Sequence, residues 1–479
     1  MSTEVLDATP ADAAPVEAGS VDAASGRETA AAPSLLRLSL GWGVGTLGAS
    51  LLLNGFAIIA PFFITTVLGA SAATAGLVLM LAKIWDIFSN PLMGAFSDAT
   101  TSRWGRRRPY LVLGGVVAGF AYAGLFSSGL TAVGHSMWLV GLLVIGVGTG
   151  YTIFNVPYMA MPVEMVDDYR ARTRMYSYRV FFIALGTVIG GAAGQKLAEL
   201  AGGGPRGYAV MGAAVGAGVL LAMSAAAFGT AGARFTLRTA KRASFLEQLK
   251  SGFSNGPFVA LLAVKFCQLF GLFTSTAMAI FIVRFVIGQV KPGNWVLVFG
   301  IASMAVNMAT IPLWLRIARR LEKRLTYILA TTLYACNALT WLYAGPSESL
   351  GVFAVRGMVF GFAAAGMLLM GQSMLSDVTE YDHRLTGLRR EGVFSGLYSF
   401  VEKGAAAFGP AILLFVYQAT GFSSKASVQT PQAIDGIRHA AALLPCLYFG
   451  LSIPLLLFYR LDEAKLKATP QAAAPAGFS

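Results

Sequence analysis

Charge is scarce in this sequence. Only 12% of its 479 residues are Asp, Glu, Lys or Arg, whereas 56% are hydrophobic, and the mean hydropathy is +0.65. That balance excludes a chain of ordinary soluble domains and points to long apolar runs that cross a bilayer. Histidine and cysteine are nearly missing, with three of each. His135, His383 and His439 form no HExxH, and Cys267, Cys336 and Cys446 stand singly in apolar stretches, so neither a metal centre nor a disulfide framework is expected. No GxxxxGK[ST] follows a strand pattern, which excludes direct drive by a nucleotide. The start of the chain lacks the basic segment and apolar core of a secretory signal. Residues 1–34 are instead Ala-rich and mildly acidic with Pro10, Pro15 and Pro33, and read as a disordered tail; of the C-terminal tail, 461–479, the end "KATPQAAAPAGFS" reads the same way.

What the sequence does have is apolar length. A bilayer core takes about 20 apolar residues per helix. On that rule spans fall near 38–66, 72–97, 110–130, 136–163, 176–201 and 208–231, then 256–288, 295–315, 325–345, 349–376, 392–421 and 437–460. The expected fold is an all-α membrane protein, with twelve transmembrane helices in two six-helix bundles at 35–231 and 256–460. A basic linker, 232–255, joins them. The loops after even-numbered spans carry twenty Lys and Arg, and those after odd-numbered spans only Arg206, Lys291, Lys425 and Arg438. That asymmetry places both termini in the cytoplasm and accounts for the net charge of +13 without a nucleic-acid partner. Equivalent loops echo each other, "EMVDDYRARTR" after span four and "DVTEYDHRLTGLRR" after span ten. The echo points to an internal duplication of the kind that rocks two bundles about a midplane site.

Charges inside spans are functional candidates by default. Lys196, Lys265 and Arg284 sit near span ends and are read as snorkelling to the interface, while Arg356 is undecided. Lys83, Asp86 and Asn90 share one helix face at i, i+3 and i+7. Either Lys83 and Asp86 form a self-satisfying ion pair, or the face lines a wet cavity, where Pro91 would free the carbonyl of Ile87 as a further ligand. Gly186, Gly190 and Gly194, and again Gly212 and Gly216, form small-residue stripes suited to close helix packing.

Three segments, "KIWDIFSNPLMGAFSDATTSRWGRRRPYLVLGG", "YTIFNVPYMAMP" and "DVTEYDHRLTGLRREGVFSGLYSFVEKGAAAFG", carry a family resemblance. They resemble, in order, helices II–III, IV and X–XI of the glycoside–pentoside–hexuronide:cation symporters, a branch of the major facilitator superfamily. The resemblance implies secondary active transport of a sugar or glycoside with a cation, by alternating access, and no enzymatic activity. It also implies roles for particular residues. Asp86 matches the first acid of the family's cation site; Asn90 and Asn155 stand where further acids would be, and Thr152 matches a cation-site position. Arg179 and Lys403 match substrate-site residues, Met159 and Leu368 replace aromatic rings, and Gly48 replaces a sugar-binding aspartate.

A site with so little carboxylate weakens sodium binding, so coupling to a proton at Asp86 is expected ahead of sodium, with an uncoupled uniporter as the alternative. Arg179 and Lys403, without their balancing acids, favour an anionic solute of hexuronide type over a neutral galactoside. The loss of aromatics keeps an amphipathic or lysolipid-like ligand in view. A non-transporting sensor or enzyme is disfavoured, because the loops are too short for a catalytic or signalling domain. Lys83, Asp98, Arg106, Arg107, Glu164 and Asp377 are gate and ion-pair candidates, the arginines also serving topology. The expected setting is a bacterial inner membrane, with a monomer handling a small solute and no cofactor beyond a coupling proton or sodium ion.

Overall fold

Each expected apolar stretch becomes one membrane-length helix in the computed structural model, which describes residues 35–166, 169–233, 255–386, 391–426, 428–459, 461 and 463–468. Residues 1–34, 469–479 and most of the linker, 234–254, lie outside the described ones. The first six helices are α1 (Leu35–Phe62), α2 (Ala72–Ala99), α3 (Arg108–Ser127), α4 (Met137–Met165), α5 (Tyr169–Thr187) and α6 (Gly204–Gly229). The second six are α7 (Gly256–Phe281), α8 (Gly293–Arg320), α9 (Lys323–Leu339), α10 (Leu350–Thr386), α11 (Glu391–Ala419) and α12 (Pro431–Phe458). Every regular element among the described residues is helical, as a bilayer demands of a backbone that must satisfy itself.

Local chemistry sets the starts. Ser71 caps α2 by accepting from Thr74 N, Asn255 caps α7 by accepting from Phe258 N, and Thr430 caps α12 by accepting from Ala433 N. A proline in the first turn of α3, α6, α7 and α12 lies where no amide bond is lost. The main difference from expectation is α10, which runs on to Thr386 rather than stopping near 376. Hydropathy reports where the apolar run ends, not where the helix ends. The polar extension is supported by an Arg384–Glu380 pair at i, i+4 of 2.7 Å and lacks the Gly or Pro that would end it.

Small residues draw the helices together. A Cβ on Gly190 would lie 2.6 Å from the Leu51 carbonyl oxygen, so α1 and the α5 span meet backbone to backbone; Gly119 and Gly216 do the same for α3 and α6. The expected stripes are therefore packing surfaces. One continuous apolar core fills the first bundle and crosses to the far ends of α7, α11 and α12; a second fills the rest of the second bundle. Contacts between bundles gather at that far end, away from the arginine-rich loops. Ala72 N donates to Gln418 Oε1 at 3.1 Å, Gly293 N to Glu199 Oε1 at 2.5 Å, and Ser424 Oγ to the Gly69 carbonyl at 3.1 Å. Phe62 packs edge-on against Phe281, with ring centroids 5.5 Å apart. The molecule is closed at the face opposite its basic loops.

Candidate functional site

Asp86 lies mid-way along α2, 5% exposed, and Lys83 Nζ meets its Oδ2 at 2.9 Å. The i, i+3 spacing does produce an ion pair, but the pair leaves the carboxylate half used. Asp86 Oδ1 is buried with no hydrogen-bond partner. Helix α4 is shaped around this group: a Cβ on Gly148 would collide with the Asp86 carboxylate, so only glycine lets α4 come so close. One turn further along, Ser89 Oγ reaches the Asp86 carbonyl at 3.3 Å and approaches Thr152 Oγ1 at 3.5 Å, and Thr152 is 1% exposed. Leu52, Leu53 and Phe56 of α1 and Tyr151 of α4 close a cleft of about 10 Å³ beside Lys83 and Asp86. That space holds one water or a small ion, not a sugar. Burying an ion pair costs more in lost hydration than a surface pair gains, so its presence in a membrane helix points to work beyond stability.

The other residues expected here divide. Asn90 turns its amide nitrogen onto the Asp86 carbonyl of its own helix. Asn155 is half-buried and makes no side-chain hydrogen bond among the described residues. Met159 packs against the apolar core of the first bundle. Gly48 faces α6, where a Cβ would meet Met223 Cγ at 2.9 Å. There is no room for an aspartate at Gly48, so the absence of one there says nothing about the charge of the site.

Helix α11 supplies the facing charges. It runs antiparallel to α2, with Gly76 against Ala411 and Ala72 against Gln418, and the same register brings Lys403 to the depth of Asp86. Lys403 accordingly feels the charges of Asp86, Lys83 and Glu402. Glu402 in turn feels Arg179 from the first bundle and Lys403 and Lys265 from the second. It lies within the membrane-spanning part of α11, yet its side chain is exposed. Tyr151 stands where the charges of Glu402, Arg179 and Asp86 all reach its hydroxyl. Arg179 Nε is buried without a partner.

Two of these groups were misjudged from sequence. Glu402 is an acid inside a span that the family pattern does not mark; its signal in the sequence is the adjacent Glu402–Lys403 pair itself. Lys265 does not snorkel. It is 5% exposed, its ammonium lies 5.2 Å from the centre of the Tyr327 ring, and it sits so tightly on Gly371 of α10 that a Cβ there would overlap it. Arg356 resolves as a buried ion pair, donating to both oxygens of Glu348 at 2.8 Å and lying 4.6 Å from the Trp341 ring.

Toward the basic loops, Arg107 is buried and donates to Ser97 Oγ at 3.3 Å, and Arg106 also has a partner. Asp377 pairs with Lys323 at 2.6 Å within its own bundle in this conformation. Asp98 and Glu164 lie on α2 and α4, with side chains outside the described ones.

Comparison with known proteins gives a consistent picture. A family model described as "MFS/sugar transport protein" matches residues 41–463. The "Glucuronide carrier protein homolog" of Escherichia coli (strain K12) is 26% identical over 438 residues, covering 90% of this chain and 94% of that one. The "Isoprimeverose transporter" of Lactiplantibacillus pentosus is 26% identical over 412 residues, covering 85% of each. Among solved structures, a bacterial homolog of the human lysosomal transporter Spinster, inward-facing and occupied, superposes with a TM-score of 0.64. It is 15% identical, with 92% of this chain and 98% of that one covered, and so shares the fold.

Proposed function

The chain belongs to the MFS/sugar transport protein family, and on that premise we propose that it carries an anionic, hexuronide-type glycoside across a bacterial inner membrane, coupled to a proton at Asp86. That it is a multi-pass membrane transporter of sugar-like solutes, and a symporter by kinship, follows from the family and the twelve spans. The proton, the anion and the orientation are the finer reading. The single observation that carries it is the unequal charge between the bundles. Arg179, Lys265 and Lys403 all act electrostatically on one carboxylate, Glu402, while Asp86 already has its own lysine.

Asp86 is suited to a proton. One oxygen is held by Lys83 and the other is a buried acceptor with no donor, and the cleft beside it is the size of a single ion. Sodium prefers several oxygen ligands of net negative charge. Here Lys83 opposes it, and Asn90 offers only neutral oxygen. The positive side chains favour a solute acid group, and the name of the glucuronide carrier relative points the same way. An amphipathic ligand loses ground, since Met159 belongs to the bundle core.

The closed far face fits one state of alternating access. With the arginine-rich loops and both termini in the cytoplasm, as the charge asymmetry supports, the closed face is the outer one.

Uptake of labelled 4-nitrophenyl glucuronide into proteoliposomes tests the reading. An inward proton gradient should stimulate uptake, a sodium gradient should not, and Asp86→Asn should abolish the stimulation. Sodium-stimulated uptake that vanishes in Asp86→Asn would overturn proton coupling. Uptake of the neutral glucoside but not the glucuronide would overturn the anionic solute.

A further inference from the structure

Helices α7 and α11 run side by side in the same direction. Phe258 meets Phe394 edge-on with ring centroids 4.5 Å apart, and four turns on Thr274 Oγ1 donates to the Gly409 carbonyl at 3.3 Å. Interpolating that register sets Lys265 level with Phe400 and Val401, one to two residues short of Glu402. Lys265 is thus a buried ammonium near the depth of an acid whose charge it feels, yet among the described residues it makes no salt bridge. Its immediate surroundings are neutral. Tyr327 donates to Gln268 Oε1 at 2.5 Å, Gln268 donates to Thr331 Oγ1 at 3.0 Å, and the ammonium rests over the Tyr327 ring. Glu402 likewise makes no salt bridge among the described residues, though the charges of three cations act on it. The acid is shared by several partners and committed to none.

We propose that Glu402 is an exchangeable counter-ion and Lys265 its second berth. In the solute-free protein the Glu402 carboxylate balances Arg179 and Lys403. The acid group of an anionic solute takes over those two cations, and Glu402 turns along α11 to Lys265. The proposal rests on the anionic-glycoside reading above.

The physical reason for an exchange is charge parity. Two carboxylates at one site flanked by low-dielectric helices repel, so a solute acid cannot simply join Glu402 beside Arg179. A buried ammonium with no counter-ion is costly in its turn. Moving one carboxylate from shared to private company as the solute arrives leaves each acid with its own cation. A neutral glycoside brings no acid, displaces nothing, and gains nothing from Lys265. The pair would therefore set the preference for charged over neutral solutes, and Lys265 would act through Glu402 as a positioning residue.

The test compares binding of 4-nitrophenyl glucuronide with that of 4-nitrophenyl glucoside, by calorimetry on the purified full-length protein in detergent. The wild type should prefer the glucuronide. Lys265→Met should lower the glucuronide-to-glucoside affinity ratio about tenfold, the loss of one charge-assisted contact. Glu402→Gln should raise the ratio, because the competing acid is gone, and Lys265→Met added to Glu402→Gln should then have little further effect. A merely structural role for either residue would lower both affinities together. If the wild type binds neither probe or both equally, the anionic-glycoside reading falls and this proposal with it. If the wild type prefers the glucuronide but Glu402→Gln leaves or lowers the ratio, the exchange alone is overturned. That second variant decides the matter even where Lys265→Met does not fold.

Discussion

The two bundles share a backbone plan and differ in what they do with charge. Both first helices end in a π turn, Phe63–Val67 after α1 and Ile282–Val286 after α7. Each is closed by the same pair of bonds. Leu68 N reaches the Phe63 carbonyl and Ala70 N that of Ile64, just as Ile287 N reaches Ile282 and Gln289 N reaches Val283. A glycine with positive φ follows in each case, Gly69 at +72° and Gly288 at +78°. The fourth helix of each half also carries a glycine that seats an ionised side chain, Gly148 under Asp86 and Gly371 under Lys265. Yet the first bundle seats an acid already paired with its neighbour, and the second seats a lysine without a salt bridge among the described residues. The comparison teaches that one backbone plan can carry different chemistry: the first half seats a paired acid and the second an ammonium, which under the proposed function would serve the coupling ion and the choice of solute respectively.

The largest effect expected from breaking that comparison lies at the far end of the second bundle. Arg356 and Glu348 are stapled there through two bonds of 2.8 Å, with Arg356 Nη2 also on the Thr340 carbonyl at 3.0 Å. The same end of the first bundle is held by stacked Phe63, Tyr122, Phe126 and Tyr208 instead. Removing one member of a buried pair strands the other, at a cost of about 3–5 kcal/mol. Arg356→Met should lower the thermal unfolding midpoint in detergent accordingly, and restoring neutrality with Glu348→Gln in the same chain should recover part of it. An unchanged midpoint in the single variant would mean that the staple contributes nothing.

A sharper division comes from the two seating glycines. Alanine in a helix is favoured over glycine by about 0.5–1 kcal/mol, so neither substitution should unfold the protein. In Gly148→Ala the new methyl must displace the Asp86 carboxylate; in Gly371→Ala it must displace the Lys265 ammonium. The first should reduce proton-stimulated uptake about tenfold and spare the glucuronide preference, while the second should do the reverse, each being worth about 1.4 kcal/mol. If both variants lose the same property, the halves are not specialised as described.

How much of this was legible beforehand depended on what each residue advertises. The twelve spans were, because apolar length is the one signal a bilayer imposes on every helix. The Lys83–Asp86 pair was, because spacing along one helix fixes which side chains meet. Lys265 was not: distance from a span end suggested snorkelling, whereas its fate depended on Gly371, more than a hundred residues away. The packing of Gly48 on α6 was not legible either, because α1 is apolar on nearly all sides and no stripe marks which face meets α6. Glu402 was in plain view, and only the depth of α11 beside α2 and α7 shows that it counts.

The smallest effect expected is also a comparison of halves. At the far face, the fifth span of each bundle caps the second helix of the other: Glu199 accepts from Gly293 N at the start of α8, and Gln418 accepts from Ala72 N at the start of α2. Both amides belong to a first turn that its own helix leaves unbonded. A carboxylate there also gains from the partial positive charge of a helix start, which an amide side chain does not. The acid latch should therefore hold the face shut more firmly, by about 1.5 kcal/mol against about 0.5–1 for the amide, since bonds to charged groups are the stronger. Spin labels on the loops after α1 and α7 report the separation by pulsed electron resonance. Glu199→Ala should populate the wider separation more than Gln418→Ala does, and Gln418→Glu should narrow the distribution below that of the wild type. Equal broadening in the two alanine variants would mean that charge at the latch is incidental and the bonds alone count. No broadening in either would move the lock to the Phe62–Phe281 contact, whose apolar area would then hold the far face closed by itself.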